Sequence, residues 1–148
     1  MNAVALAWRS RIWRGVAALL LLGLLLVARA LEPDPRGWGT HQQLGLGACA
    51  WRSLVGIRCP ACGATTAFAH VVRGELRQAV HANLGGTLVA IGSAAVASLL
   101  AVEALRGQPW PLLLWPQVLL TAAATIAVVA LLEWFVRVAG QWSSGGFG

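Results

Sequence analysis

Lysine is absent from this 148-residue chain, acidic residues number five, and only 11% of positions are charged. That is too little charge to cover the surface of a soluble domain, where about a quarter of residues carry it. The signatures of familiar chemistries are missing too. Asp34 and Glu75 form no carboxylate pair, and there is no G-x-S-x-G, no phosphate-cradling glycine loop and no H-E-x-x-H. No βαβ pattern surrounds the one C-x-x-C, which removes the usual thioredoxin-like scaffold. Internal repeats are absent, and the only low-complexity stretch is the tail from Ser143 to Gly148, expected to be disordered.

What fills the chain is apolar: 58% of it is hydrophobic. The apolar content gathers in three windows, and we expect spans over 12–31, 84–102 and 110–132. Each is about the 20 residues that cross the hydrocarbon core as a helix, the first with Arg14 and Arg29 snorkelling outwards. The tryptophans support this reading by position. Trp8 and Trp13 lie near the start of the first span, Trp110 and Trp115 open the third, and Trp134 and Trp142 follow it, as amphipathic rings do at headgroup level. Arg9, Arg11 and Arg14, an apolar stretch and Ala28-Arg29-Ala30 imitate a cleavable secretory signal, but an arginine inside the cleavage triplet is unfavourable, and a retained span is expected.

The formal charge of +6 comes from eleven arginines. They sit beside apolar spans and form no basic stripe interleaved with aromatics, so the expected partner is the lipid bilayer and nucleic acid is not expected. Orientation is read from the same residues. Arg9, Arg11 and Arg14 ahead of the first span favour a cytoplasmic N-terminus and place the following loop outside; Arg36, Arg52, Arg58, Arg73 and Arg77 in that loop argue the other way. The first helix usually sets orientation, and we side with it.

Residues 32–83 form the polar loop. Pro33 and Pro35 end the first helix, 44–57 reads as a short segment lying on the interface, and an amphipathic helix is expected from Ala64 towards Gly74, then a second over Glu75–Asn83. Gly86, Ala90, Ala94 and Ser98 make a ridge of small residues suited to packing the second span on the third. Glu103 with Arg106, and Glu133 with Arg137, have the spacing of ion pairs at helix ends.

All three cysteines fall in the loop, as Cys49 and the pair Cys59 and Cys62 of Cys59-Pro60-Ala61-Cys62-Gly63. Such a cluster allows three uses. It can bind zinc or copper, with Cys49, Cys59 and Cys62 as ligands and His41 or His70 completing a tetrahedron; His70 is poorly placed, about 12 Å along a helix from Cys62. It can exchange disulfides, with a thiolate favoured at a helix N-terminus. Or it can brace the loop by a bridge from Cys49 to Cys59 or Cys62. Arg73 and Arg77 are candidates for lipid headgroups.

The run Gly56-Ile57-Arg58-Cys59-Pro60-Ala61-Cys62-Gly63-Ala64-Thr65-Thr66-Ala67, with Arg73-Gly74-Glu75-Leu76 and Ala79-Val80-His81-Ala82-Asn83 after it, resembles a bacterial integral-membrane family, domain of unknown function 2752. That family's core reads CP-x-CG-x-TRA, then an HGD-like turn, then NP before an apolar span, often with a cysteine upstream. Thr66 stands in place of the arginine and Leu84 in place of the proline. The resemblance implies a multi-pass protein of the bacterial cytoplasmic membrane, without an established activity. The expectation is therefore an all-α membrane protein with three transmembrane helices and a cysteine-bearing insertion. Its role is structural or that of an accessory subunit beside other membrane subunits, and catalysis is not favoured; the alternative is a metal-binding or thiol-disulfide redox protein.

Overall fold

The computed structural model describes residues 3–107 and 116–143. Among them every regular element is helical: α1 (Ala3–Ala30), a 3-10 turn (Thr40–Leu44), α2 (Ala50–Val55), α3 (Ala64–Val71), α4 (Leu76–Ala82), α5 (Leu84–Arg106) and α6 (Pro116–Ser143). Three helices are long and apolar enough to cross a membrane, over Trp8–Ala30, Leu84–Arg106 and Gln117–Ser143. Leu19, Leu20 and Leu26 of α1 and Leu132, Phe135 and Val136 of α6 stand exposed on them, the reverse of a water-soluble fold and suited to a hydrocarbon solvent.

The helices run past the bounds that hydropathy suggested. α1 starts at Ala3, so Arg9, Arg11 and Arg14 lie on the helix and not ahead of it. α6 continues to Ser143, eleven residues beyond 132. The expected start of the third span at 110–115, with Trp110 and Trp115, and the tail at 144–148 lie outside the described residues.

α5 packs most extensively on α1 and α3, and less on α6. Its small residues explain how close the approach is. A Cβ on Gly86 would come within 2.8 Å of the Ala64 backbone of α3, and one on Gly85 within 2.6 Å of the Ala130 side chain of α6. The ridge beginning at Gly86 therefore meets α3 first, while Ser98 at its far end is exposed. α5 and α6 border an apolar groove of about 650 Å³, with Val89, Val96, Leu119 and Ile126 among its walls.

Glu103 does not pair with Arg106. It is buried against α1, 3.2 Å from the Arg14 guanidinium. The antiparallel neighbour supplies the cation, and Arg11 donates to the Ala104 and Leu105 carbonyls beside it, where the last turn of α5 has carbonyls to satisfy. At the opposite end, Arg73, in the turn after α3, donates to the carbonyls of Ala28, Arg29 and Leu31 as well as to Ala69 of α3. It caps the C-terminus of α1.

α6 is fastened by three residues. Glu133 pairs with Arg137, as the spacing suggested. Its carboxylate also accepts the backbone N–H of Leu84 at 2.9 Å and of Gly85 at 3.3 Å, while Arg137 donates to the carbonyls of His81 and Ala82. Trp134 Nε1 donates to the Arg58 carbonyl at 2.6 Å. An anion is thus set at the start of α5 and a cation at the end of α4, each complementing the local helix dipole.

This arrangement bears on Leu84. Asn83 is extended, with φ −167° and ψ 114°, a backbone that tolerates a following proline, and proline suits the first turn of a helix. A proline there would nonetheless remove the N–H that Glu133 accepts. Leu84→Pro is expected to lower stability by about 1–2 kcal/mol, the loss of a charge-assisted bond exceeding the gain from a stiffer chain. Thermal unfolding in detergent measures it.

Candidate thiol site

Residues 31–83 fold into a cap beside the ends of α1 and α5, built around Ala67, Ala79 and Ala82. No large apolar side chain is fully buried in it; the largest fully buried ones are Thr40 and Thr66. A cap with so small a core relies on specific polar ties. Thr40 and Thr66 share a hydrogen bond of 2.8 Å, and Thr40 Oγ1 also accepts the Asp34 N–H at 3.0 Å. Thr66 is therefore a buried strut at the place where the family pattern has arginine. Arg36 makes a two-point bond to Asp34, which holds that carboxyl below the usual carboxylate range, and its guanidinium lies 4.3 Å from the Trp38 ring centre.

The cysteine turn is fixed from the helix junction behind it. Asn83, 4% exposed, donates from Nδ2 to the carbonyls of Pro60 at 3.1 Å and Cys62 at 3.2 Å. Its Oδ1 accepts the Gly86 N–H, so the same side chain caps α5. Inside the turn, the Cys62 N–H donates to the Cys59 carbonyl at 3.0 Å. Gly63 then enters α3 with φ +93°. The segment that carries Cys49 closes from the other side, with the Ser53 N–H bonded to the Cys49 carbonyl.

These ties bring Cys49, Cys59 and Cys62 to one cavity of about 130 Å³, whose walls also include His41, Thr65 and Thr66. The Cys49 and Cys59 sulfurs are 3.6 Å apart. No group of three or more His, Cys, Asp or Glu among the described residues stands close enough to grip a metal ion in this arrangement. The histidines separate. His41 lines the cavity, whereas His70 bonds Glu75 through Nδ1 at 2.6 Å and does not. Of the headgroup candidates, Arg73 is engaged with four carbonyls as described, and Arg77 is exposed on α4.

Electrostatics at Cys59 oppose the thiolate expected of a C-x-x-C at a helix start. Burial, reinforced by the neighbouring Cys49 and Cys62, pushes the Cys59 thiol up to about 11. The folded protein thus holds this proton more tightly than the unfolded chain, and stability falls as pH rises from 9.0 towards about 11. Alkylation should show the same shift. At pH 8, with the thiols kept reduced, modification of Cys59 by iodoacetamide is expected to be at least tenfold slower in native protein than in unfolded protein, and to accelerate up to about pH 11. Peptide mass spectrometry reads the difference; equal rates at pH 8 would refute it.

Several of these residues carry no obvious signature in the sequence. Asn83 had one, an N-cap residue just before an apolar run. Arg73 as a cap for α1 had none, because its partners lie more than forty positions away.

Three long apolar helices and a small helical cap with a thiol-lined cavity define a multi-helix membrane protein with an inserted cysteine module. Residues 49–97, from Cys49 to the middle of α5, match the model of the family described as Protein of unknown function (DUF2752). No curated protein matches the chain, and no solved structure does.

Proposed function

We propose that this protein is a structural component of the bacterial cytoplasmic membrane, an accessory subunit whose cap lies on the outer side and is braced through its cysteines. The observation that carries the reading is the 3.6 Å separation of the Cys49 and Cys59 sulfurs, ten residues apart in sequence. The intervening segment exposes Trp51, Leu54 and Val55. A link at Cys49 and Cys59 supplies what the small core does not. The raised Cys59 thiol weighs against an exchange catalyst, which needs an accessible thiolate. Arg9, Arg11 and Arg14 at the far end of α1 support the orientation.

Two measurements test this. Limited proteolysis of purified protein should cut between 45 and 58 at least tenfold faster in Cys59→Ser than in the parent. Equal rates would remove the bracing role. A membrane-impermeant thiol reagent applied to intact cells should modify a cysteine placed at the exposed Leu54 of the cap from outside, and modification only after lysis would reverse the orientation. The accessory role predicts recovery of a stable membrane partner after crosslinking and mild solubilisation. A chain recovered alone would overturn it.

A further inference from the structure

We propose that the hollow where α4, the cysteine turn and α6 meet is a binding site for an anionic phospholipid, with the phosphate at Arg137 and an acyl chain along α6. The hollow measures about 650 Å³, within the range of small-molecule sites. Its walls divide by polarity: Arg58, His81, Glu133 and Arg137 form the polar part, and Val129, Leu132 and Val136 lead the apolar one. Three elements far apart in sequence bring the basic residues together. Trp134 ties the Arg58 backbone to α6, and Arg137 ties α6 to the end of α4 that carries His81.

Charge in the hollow favours an anion. Arg58 and Arg137 against Glu133 leave a formal +1 with His81 neutral. Glu133 is also committed, since its carboxylate accepts the N–H groups of Leu84 and Gly85 as well as Arg137. An arginine carries five N–H donors. Arg137 gives three, to the Ala82 and His81 carbonyls and to Glu133, and two have no partner among the described residues. With its side chain 23% exposed, it can offer both to phosphate oxygens as charge-assisted bonds. The Arg58 guanidinium stands 5.9 Å from the Trp38 ring centre and contributes positive potential at longer range.

The apolar wall selects an amphiphile over a free phosphate. Val129, Leu132 and Val136 share one face of α6 and extend over about 10 Å. They belong to a helix long and apolar enough to cross a membrane, and Leu132 and Val136 are 61% and 73% exposed. The basic residues gather where the span of α5 begins, at Leu84, the level at which a phospholipid passes from headgroup to chain. The headgroup role thus moves from the residues the sequence offered. Arg73 is spent on the end of α1, and Arg77 lies outside the hollow. None of the cysteines borders it either, so the site stands apart from the brace.

Full-length protein, purified in detergent and freed of lipid, is titrated with phosphatidylglycerol and with phosphatidylcholine of the same acyl chains, and bound lipid is counted by native mass spectrometry. One phosphatidylglycerol per chain is expected, held about tenfold tighter than phosphatidylcholine or more. Arg58→Gln should cut this preference about fivefold, the weight of one arginine near a charged surface. Arg137→Lys, which keeps a cation beside Glu133 and loses the spare donors, should cut it further. Arg77→Gln should leave it unchanged. Equal binding of the two lipids, or an equal loss from Arg77→Gln and Arg58→Gln, overturns the site. Glycerol phosphate that displaces the lipid at equal concentration overturns the part given to the apolar wall. A photoreactive side chain at Leu132, activated in native membranes, should label phospholipid; an adduct with a polypeptide in its place overturns the lipid as occupant. Should Arg137→Lys not fold, the other two variants and the Leu132 adduct decide.

Discussion

Gly63→Ala is expected to be among the most damaging single changes in this protein, lowering stability by about 2–5 kcal/mol and loosening the cap as a unit. Two costs add. An alanine in the left-handed region costs about 1–2 kcal/mol, and Gly63 sits at φ +93°. Forcing extra volume into a packed site costs about 1–3 kcal/mol more. Here the obstacles are main chain: a Cβ would meet the Ala82 carbonyl oxygen at 2.4 Å and that of Gly37 at 2.7 Å. Neither can swing aside as a side chain could, because Ala82 opens the junction with α5 and its carbonyl is held by Arg137. Gly56→Ala is the control. It shares the positive φ, at +75°, but a Cβ there meets nothing within 4 Å, so only the conformational cost applies. Protease resistance of the cap and the unfolding midpoint in detergent should fall much further for Gly63→Ala than for Gly56→Ala; equal losses would show that the contact with Ala82 carries no weight.

The second large effect is expected at Glu133. Replacing it with alanine removes the acceptor for two N–H groups of α5 and leaves Arg137, whose side chain is only 23% exposed, without its anion. Breaking one partner of a buried pair costs about 3–5 kcal/mol. Partial exposure reduces that here to about 2–3 kcal/mol. The double variant Glu133→Ala with Arg137→Ala should recover part of the loss, since the unpaired cation disappears with its partner. Loss of α6 docking is read directly by a crosslink between cysteines placed at Leu84 and Val129, which both border the pocket beside the pair. No recovery in the double variant would mean that the pair acts only by satisfying the α5 amides.

Much of this architecture was legible because hydropathy and local spacing are short-range signals. Three long apolar helices, the helix beginning at Ala64 and the Glu133–Arg137 pair can each be read within one window. Contacts between windows could not be. Glu103 has Arg106 three positions away, yet the antiparallel packing of α1 delivers Arg14 instead. The length of α6 shows a related limit: Glu133 and Arg137 bring charge just past the expected span end at 132, but both charges are answered at the α4–α5 junction and the helix runs on to Ser143. At the cysteines, the sequence left open whether Cys49 would meet Cys59 or Cys62, or Cys59 and Cys62 would act as a pair. The fold places the Cys49 and Cys59 sulfurs 3.6 Å apart, a contact between positions ten residues apart that spacing alone does not fix.

Arg73 has a consequence for the bilayer as well. The hydrophobic stretch of α1 is nearly uniform from Val16 to Val27 and could take several depths at similar cost. Arg73 fixes one of them by gripping its last carbonyls from a turn more than forty residues away. The cap thus works as a depth gauge: a leucine inserted into α1 would be displaced towards Arg9 and Arg14, and the bilayer at that far face would have to absorb the added length.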